Sequence, residues 1–203
     1  MISSSERVCR RGLVVLAAMG ALGCAPGEVV FENNLIQLIQ YRAATAQVGA
    51  RPLVMVPPCI NKYYILDLQP ENSLIRYTVE QGHRLFVVSW RNPDASMARF
   101  TWDQYIEDAA IRAIELVQEI CASPKINALG FCVGGTILST ALAVLAARGL
   151  RPVASVTLLT TLLDFSSTGV LDLFIDEQMV KMREMTLGLQ SPGGGSLLKG
   201  QEL

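Results

Sequence analysis

The apolar residues of this chain gather in short runs, which are separated by stretches rich in polar residues, proline and glycine. Four of these runs are short and rich in valine, isoleucine and leucine, a pattern that predicts β-strands, the first of them buried. They cover residues 52–56, 85–90, 126–129 and 153–159. The first run ends at a pair of prolines, because proline cannot continue a central strand.

Helical spacing of apolar residues fills the stretches between these strands. It predicts helices over residues 72–81, from Thr101 onward, over residues 136–148 and over residues 172–187. Strands that alternate with helices imply right-handed βαβ units, so we expect an α/β fold with a mostly parallel sheet and helices on both faces. In such sheets, chemistry gathers at the carboxyl ends of the strands.

A glycine-rich run joins the third predicted strand to the helix that follows it. The run reads Gly130-Phe131-Cys132-Val133-Gly134-Gly135. The pattern resembles the nucleophile elbow of α/β-hydrolases, with cysteine in the place of the usual serine. Glycines are needed there because a side chain would collide with the neighbouring strand and helix. The alternative interpretation is a glycine-rich turn that carries an ordinary buried cysteine.

A cysteine at this position would gain reactivity from its surroundings. A helix N-terminus favours negative charge, and this field favours the thiolate of Cys132 over the thiol. The backbone N–H of Val133 would point toward the place where an oxyanion forms during acyl transfer. The motif therefore predicts nucleophilic catalysis by Cys132.

Composition narrows the choice of function. The chain has 203 residues, 51% of them hydrophobic and 17% charged, which fits one folded core. The net charge of −1, with no basic run, gives no sign of nucleic-acid binding. The five cysteines are odd in number and have no C-x-x-C spacing, which argues against a disulfide framework and against a zinc site.

The first 24 residues have a different character from the rest. Three arginines (Arg7, Arg10 and Arg11) precede an apolar stretch over residues 12–22, which has the shape of a short signal peptide. The competing interpretation is a divergent leader of uncertain origin joined to a cytosolic domain. We expect the second, with a leader over residues 1–24 and a domain over residues 25–203 that stops before the α/β fold is finished.

Several longer strings resemble the catalytic domain of polyhydroxyalkanoate synthases, above all the class I enzymes that make polyhydroxybutyrate. The matching is nearly continuous from about residue 26, whereas residues 1–24 do not resemble the family. The strings are GEVVFEN at 27–33 with LIQY at 38–41, VPPCINKYYILDL at 56–68, VSWRNP at 88–93, GFCVGGT at 130–136, and LLDF at 162–165 with GVL at 169–171.

This resemblance implies an acyltransferase that polymerises (R)-3-hydroxyacyl-CoA, with 3-hydroxybutyryl-CoA as the expected substrate. Cys132 would be the nucleophile, and the backbone N–H groups of Val133 and Ile60 would form the oxyanion hole. No cofactor and no metal are implied, since acyl-CoA is the substrate. The implied partners are the growing polyester chain, a polyester granule surface and a second copy in a homodimer. The implied location is the cytoplasm.

The chain also departs from the α/β-hydrolase pattern, in which the acid and the base follow the nucleophile. No histidine follows Cys132, and the single histidine, His83, lies before a predicted strand and so at the edge of the sheet away from the site. Asp67 and Asp164 are expected to be buried caps of loops, and Cys59 is expected to be a packing residue. We interpret the chain as an incomplete synthase that has the nucleophile without the base.

Two alternatives stay open at this point. A cysteine thioesterase or depolymerase-like hydrolase would need the same fold and nucleophile, with water in place of the acyl acceptor. The second alternative is a non-catalytic remnant, or a fragment that pairs with another chain through exposed apolar surface. Such a protein would need no catalytic nucleophile.

Overall fold

The computed structural model describes residues 25–60, 62–174 and 176–188. The leader predicted over residues 1–24 lies outside this part of the chain. The chain divides into two compact units. Within the described residues, one consists of residues 25–91 together with Asp103–Thr161, and the other of Asn92–Trp102 together with residues 162–188.

The first unit contains a six-stranded sheet with the strand order β1-β2-β4-β3-β5-β6. The strands are β1 (Gly27–Glu32), β2 (Ile36–Tyr41), β3 (Leu53–Val56), β4 (Leu85–Trp90), β5 (Ile126–Phe131) and β6 (Val153–Leu159). Strands β4, β3, β5 and β6 run parallel to one another, as the alternating pattern predicts. The four predicted strands are therefore confirmed, and the sheet is mostly parallel.

The antiparallel edge of the sheet is the part that the strand prediction missed. Strands β1 and β2 form a hairpin, and β2 pairs antiparallel with β4. The turn between them is closed by Asn33, whose side-chain oxygen accepts hydrogen bonds from the N–H groups of Leu35 (2.8 Å) and Ile36 (2.9 Å). Such an Asx turn lets the chain reverse without glycine, so the usual hairpin signal is absent from the sequence.

One face of the sheet packs against the first helix, α1 (Leu74–Glu80). Its buried residues Ile75 and Val79 join Met55, Leu85 and Val87 in one apolar cluster. The hydroxyl of Ser73 accepts a hydrogen bond from the N–H of Arg76 and so caps the helix N-terminus. This helix was predicted over 72–81, but residue 72 instead ends a separate 3₁₀ turn, Pro70–Asn72, and Ser73 is the N-cap.

The opposite face of the sheet carries two further helices, α2 (Arg112–Cys121) and α3 (Val133–Ala147). Both contact β3 and β5. Gly130 in β5 lies against α3, and side chains alternate between the faces of a strand, so α3 lies on the face opposite to Leu129 and α1. The expectation of helices on both faces is thus confirmed.

The helix predicted from Thr101 is continuous to Cys121, but it is not α-helical throughout. It begins with Trp102–Gln104, winds as a π-helix over Tyr105–Ile111 and continues as α2. Ile106 and Ala109 of the π-helical segment are buried, which agrees with the predicted apolar face. The spacing of apolar residues gave no sign of the π-helical winding.

The second unit is mainly helical where it is described. It contains α4 (Glu177–Leu187), which is shorter than the helix predicted over residues 172–187 because a 3₁₀ helix (Gly169–Phe174) precedes it. The carboxylate of Asp176 caps α4 by accepting a hydrogen bond of 2.7 Å from the N–H of Met179. Two short 3₁₀ helices complete the described elements, Tyr63–Leu66 in the first unit and Ala95–Met97 in the second.

Within the described residues, no helix combines the length and the apolar character needed to cross a membrane.

Candidate active site

Cys132 lies on a sharp turn at the carboxyl end of β5, directly before the first residue of α3. Its backbone angles are φ 54° and ψ −130°, a combination that residues other than glycine rarely adopt. Backbone strain of this kind costs about 1–3 kcal/mol and persists only where the surroundings impose it. The predicted elbow is therefore present in the structure, with the cysteine at its strained position.

Three glycines make this turn sterically possible. A Cβ atom at Gly130 would lie less than 3.0 Å from the Cα atom of Gly135, and a Cβ atom at Gly134 would come equally close to the carbonyl oxygens of Val56 and Pro57. Real Cβ atoms essentially never approach other atoms so closely. The glycines thus let β5, α3 and the end of β3 meet at one point.

Backbone hydrogen bonds hold Cys132 in place between a strand and a helix. Its N–H donates to the carbonyl oxygen of Leu159 in β6 (2.9 Å), and its own carbonyl accepts from the N–H of Gly135 (2.9 Å). The side chain of Cys132 is exposed. This differs from the ordinary buried cysteine of the alternative interpretation, and it leaves the thiol open to a substrate.

The N–H of Val133 belongs to the first turn of α3, where N–H groups have no carbonyl partner within the helix. The helix is 15 residues long, and no acidic residue lies in its first turn. The positive end of its dipole therefore faces the turn that carries Cys132 without a neutralising charge from the helix itself.

The loop after β3 runs beside the elbow. Pro57 and Pro58 are buried, Cys59 is half-buried, and Ile60 is 65% exposed. Burial raises the pKa of the Cys59 thiol, and the neighbouring Cys132 adds to the increase. Cys59 is thus a neutral, partly buried thiol, as expected of a packing residue. The adjacent Asn61 lies outside the described residues.

The described cysteines should differ in their reactivity toward iodoacetamide. Burial raises the pKa of both Cys59 and Cys121, which lowers their thiolate fraction at neutral pH, whereas the side chain of Cys132 is exposed. We expect Cys132 to be alkylated at least about tenfold faster than either of them. Mass spectrometry of peptides from protein labelled for different times measures the three rates.

Raising the pH should increase the labelling of Cys59 and Cys121, because a thiol with a raised pKa gains its thiolate only at higher pH. Labelling of Cys132 at the rate of Cys121 would remove the case for an activated nucleophile.

The structure places His83 away from this site. It is exposed and lies two residues before β4, whose first residue pairs with the first residue of β3. The site lies at the other end of these parallel strands, about 20 Å away for a six-residue strand. The expectation that His83 lies at the amino edge of the sheet is confirmed.

The two aspartates that were expected to cap loops, Asp67 and Asp164, have local roles. Asp67 is fully buried and accepts hydrogen bonds from the hydroxyl of Ser73 (2.5 Å) and from the N–H of Ala25 (3.0 Å). Asp164 caps its own loop by accepting from the N–H of Ser166 (2.9 Å), and this bond lowers the pKa of its carboxyl. Both were expected to cap buried loops, which is correct for Asp67 and wrong in one respect for Asp164, whose side chain is exposed.

Replacing Asp67 should destabilise the fold. In Asp67→Ala the N–H of Ala25 and the hydroxyl of Ser73 lose a buried acceptor, which we expect to lower the free energy of unfolding by about 2–3 kcal/mol. Urea denaturation followed by circular dichroism measures the change. Asp164→Ala is the matched control and should leave the midpoint nearly unchanged. Equal midpoints for the two variants would contradict the assigned role.

One contact near the elbow was missed at the sequence level. The indole N–H of Trp90 donates to the carbonyl oxygen of Pro57 at 2.7 Å, and its ring stacks on Tyr105. From the sequence, Trp90 was predicted only as the last residue of the strand over 85–90. Strand-end position alone gives no indication of a hydrogen bond across to the neighbouring loop.

Comparison with protein-family models shows which fold family the chain belongs to. Residues 52–197 match the alpha/beta hydrolase fold, and residues 17–78 match the N-terminus of poly-beta-hydroxybutyrate polymerase. The chain therefore belongs to the α/β-hydrolase fold family. The second match begins at residue 17, within the segment that the sequence analysis set apart as a leader.

Curated relatives specify the branch of this family. The chain is 68% identical over 177 residues to a poly(3-hydroxyalkanoate) polymerase subunit of Cupriavidus necator, and 45% identical over 159 residues to a poly(3-hydroxyalkanoate) polymerase of Methylorubrum extorquens. These matches cover 87% and 78% of the chain but only 30% and 26% of the relatives. The resemblance to polyhydroxyalkanoate synthases is thus confirmed, for a chain that spans under a third of these relatives.

Solved structures agree on the fold. A fungal esterase from Rhizomucor miehei superposes with a TM-score of 0.55 at 18% identity, covering 80% of this chain and 54% of the esterase. The lipase homologue EstE7 from a metagenome library gives a TM-score of 0.52 at 15% identity, covering 81% of this chain and 57% of that protein. At such identities the likeness concerns the fold alone.

Proposed function

We propose that this chain carries the nucleophile of a poly(3-hydroxyalkanoate)-forming acyltransferase. The observation that carries the proposal is the exposed Cys132 at φ 54° on the turn between β5 and α3. A cysteine in this strained position, in a chain 68% identical to a polymerase subunit over 177 residues, is best explained by nucleophilic catalysis.

The proposed reaction begins with attack of the Cys132 thiolate on the thioester carbonyl of (R)-3-hydroxybutyryl-CoA. A carbon–sulfur bond forms, and the carbonyl electron pair moves onto oxygen to give a tetrahedral oxyanion. When the oxyanion collapses, the bond to CoA breaks and CoA leaves as a thiolate that takes up a proton. The product on the enzyme is again a thioester, so the activation of the acyl group is retained for transfer to an alcohol.

Two backbone N–H groups are proposed to bind that oxyanion. The first is the N–H of Val133, which lies at the N-terminus of α3 beside the nucleophile. The second is the N–H of Ile60, in the loop that follows β3. Donors that are fixed before the reaction stabilise the developing charge without reorganisation, and each is worth about 3–4 kcal/mol in known cases.

The proposed acceptor, location and oligomeric state come from the sequence similarity to polymerases. The acceptor of the acyl group is a growing polyester chain, no cofactor takes part, and the protein works in the cytoplasm at a granule surface, as a homodimer. Sedimentation of the tagged protein with polyester granules from a cell lysate tests this location. Recovery in the granule-free supernatant alone would argue against it.

The reaction is tested by incubating the protein with 3-hydroxybutyryl-CoA and mapping adducts by mass spectrometry. We expect one hydroxybutyryl group on Cys132 and none in Cys132→Ser within the same time, because a serine hydroxyl is a much weaker nucleophile near neutral pH. Oligomers on the thiol would favour the polymerase, and rapid release of free 3-hydroxybutyrate would favour a thioesterase. A wild-type protein that is alkylated at Cys132 but never acylated would refute the proposal.

A further inference from the structure

Trp90 links the end of one strand to the loop that follows the neighbouring strand. It is the last residue of β4, is 8% exposed, and donates its indole N–H to the carbonyl oxygen of Pro57 at 2.7 Å. Pro57 directly follows β3, which pairs parallel with β4. A neutral hydrogen bond of this length, buried from water, fixes the orientation of the Pro57 peptide group.

The same carbonyl oxygen also lies close to the nucleophile elbow. A Cβ atom at Gly134 would lie 2.5 Å from the carbonyl oxygen of Pro57, so the peptide group almost touches the first turn of α3. Gly134 is two residues after Cys132. The Pro57 carbonyl oxygen thus accepts from the indole of Trp90 and also lies against the first turn of the helix that follows Cys132.

The indole itself is held by a second aromatic ring. Trp90 stacks on Tyr105 of the π-helical segment, with ring centroids 5.5 Å apart and an interplanar angle of 26°. Burial raises the pKa of the Tyr105 phenol, and nearby Cys59 adds to the increase, so this ring stays neutral at physiological pH. Stacking of this kind restricts the rotation of the indole and keeps its N–H directed at Pro57.

We infer that Trp90 is a positioning residue for the acyl-transfer step. By fixing the Pro57 carbonyl, its indole N–H sets the place of the following loop and hence the distance from the Ile60 N–H to the thiol of Cys132. This inference rests on the proposed function. The N–H of Trp90 contacts no reacting atom, so its effect on the rate acts through the geometry of the oxyanion hole.

The test compares two reactions of the same thiol. Acylation by 3-hydroxybutyryl-CoA passes through an oxyanion, whereas alkylation by iodoacetamide displaces iodide and forms none. In Trp90→Phe the stacking ring stays and the N–H is lost. We expect the acylation rate of Cys132 to fall about 10- to 100-fold, while its alkylation rate stays within about twofold of the wild type.

Two further variants of the protein serve as controls for this comparison. Trp102→Phe makes the same chemical change at a ring that is 48% exposed, and both rates should be unchanged. Replacing the indole of Trp90 by benzothiophene, through incorporation of benzothienylalanine, keeps the size and the stacking of the ring but removes the donor. This protein should show the same selective loss of acylation even if Trp90→Phe fails to fold.

Several results would overturn the inference. They are an unchanged acylation rate, an equal loss of both rates, or unfolding of the benzothienyl protein, since the last would assign the N–H to folding alone. If wild-type protein does not react with 3-hydroxybutyryl-CoA, the proposed substrate is wrong, and p-nitrophenyl butyrate replaces it as the oxyanion-forming acyl donor. If that ester also fails to acylate Cys132, the role of Trp90 in the oxyanion step is refuted as well.

Discussion

The 203-residue polypeptide is expected to accept one hydroxybutyryl group on Cys132 and then to stop. Attack on the thioester needs only a thiolate and the backbone N–H groups beside it. Transfer to the next hydroxyl also needs a base that removes its proton, and His83, the single histidine, lies at the opposite edge of the sheet. Loss of members of known catalytic triads lowers turnover by roughly 10⁴-fold or more.

The measurement is CoA release with time, read with a thiol reagent after rapid removal of the protein. We expect a single phase with an amplitude of at most one CoA per chain, and no polymer. Cys132→Ala should abolish this phase, and His83→Ala should leave it unchanged. Steady release over many turnovers that survives His83→Ala would reveal a base elsewhere in the chain, and its loss in His83→Ala would show that the role of His83 was misjudged.

The substitution Gly134→Ala is expected to have the largest effect on the fold of the site. The added methyl group would lie less than 3.0 Å from the carbonyl oxygens of Val56 and Pro57, which are backbone atoms and cannot rotate away. The start of α3 must therefore shift relative to β3. We expect the free energy of unfolding to fall by about 3 kcal/mol and acylation of Cys132 to slow by about 100-fold.

The matched control is Gly49→Ala. A Cβ atom at Gly49 would meet its nearest neighbour, the carbonyl oxygen of Gly82, at 3.8 Å, which is an ordinary contact. Urea denaturation and the acylation rate should both stay near the wild-type values in this control. Native stability together with native acylation in Gly134→Ala would contradict the close approach of the helix to the end of β3.

Features that depend on short stretches of sequence were predictable. The strands over 85–90 and 153–159 form at the predicted residues, because a short run rich in valine and leucine between breakers favours a strand, whether it is buried like β4 or exposed like β6. The elbow was equally clear, since only glycine at positions 130, 134 and 135 permits the observed approach of backbone to backbone or side chain. The hairpin of β1 and β2 could not be predicted in this way, because its turn depends on the Asn33 side chain rather than on glycine.

By itself, the sequence determined the α/β fold, the position of the glycine-rich elbow that carries Cys132, and the family. Each of these follows from local pattern, from steric rules for glycine, or from strings that are long enough to be specific. Only the tertiary structure decided that Trp90 reaches Pro57, that Asp67 holds Ala25 and Ser73 together, and that the long helix winds as a π-helix over Tyr105–Ile111. These features depend on contacts between residues far apart in the chain and on the local winding of a helix, neither of which leaves a periodic signal in the sequence.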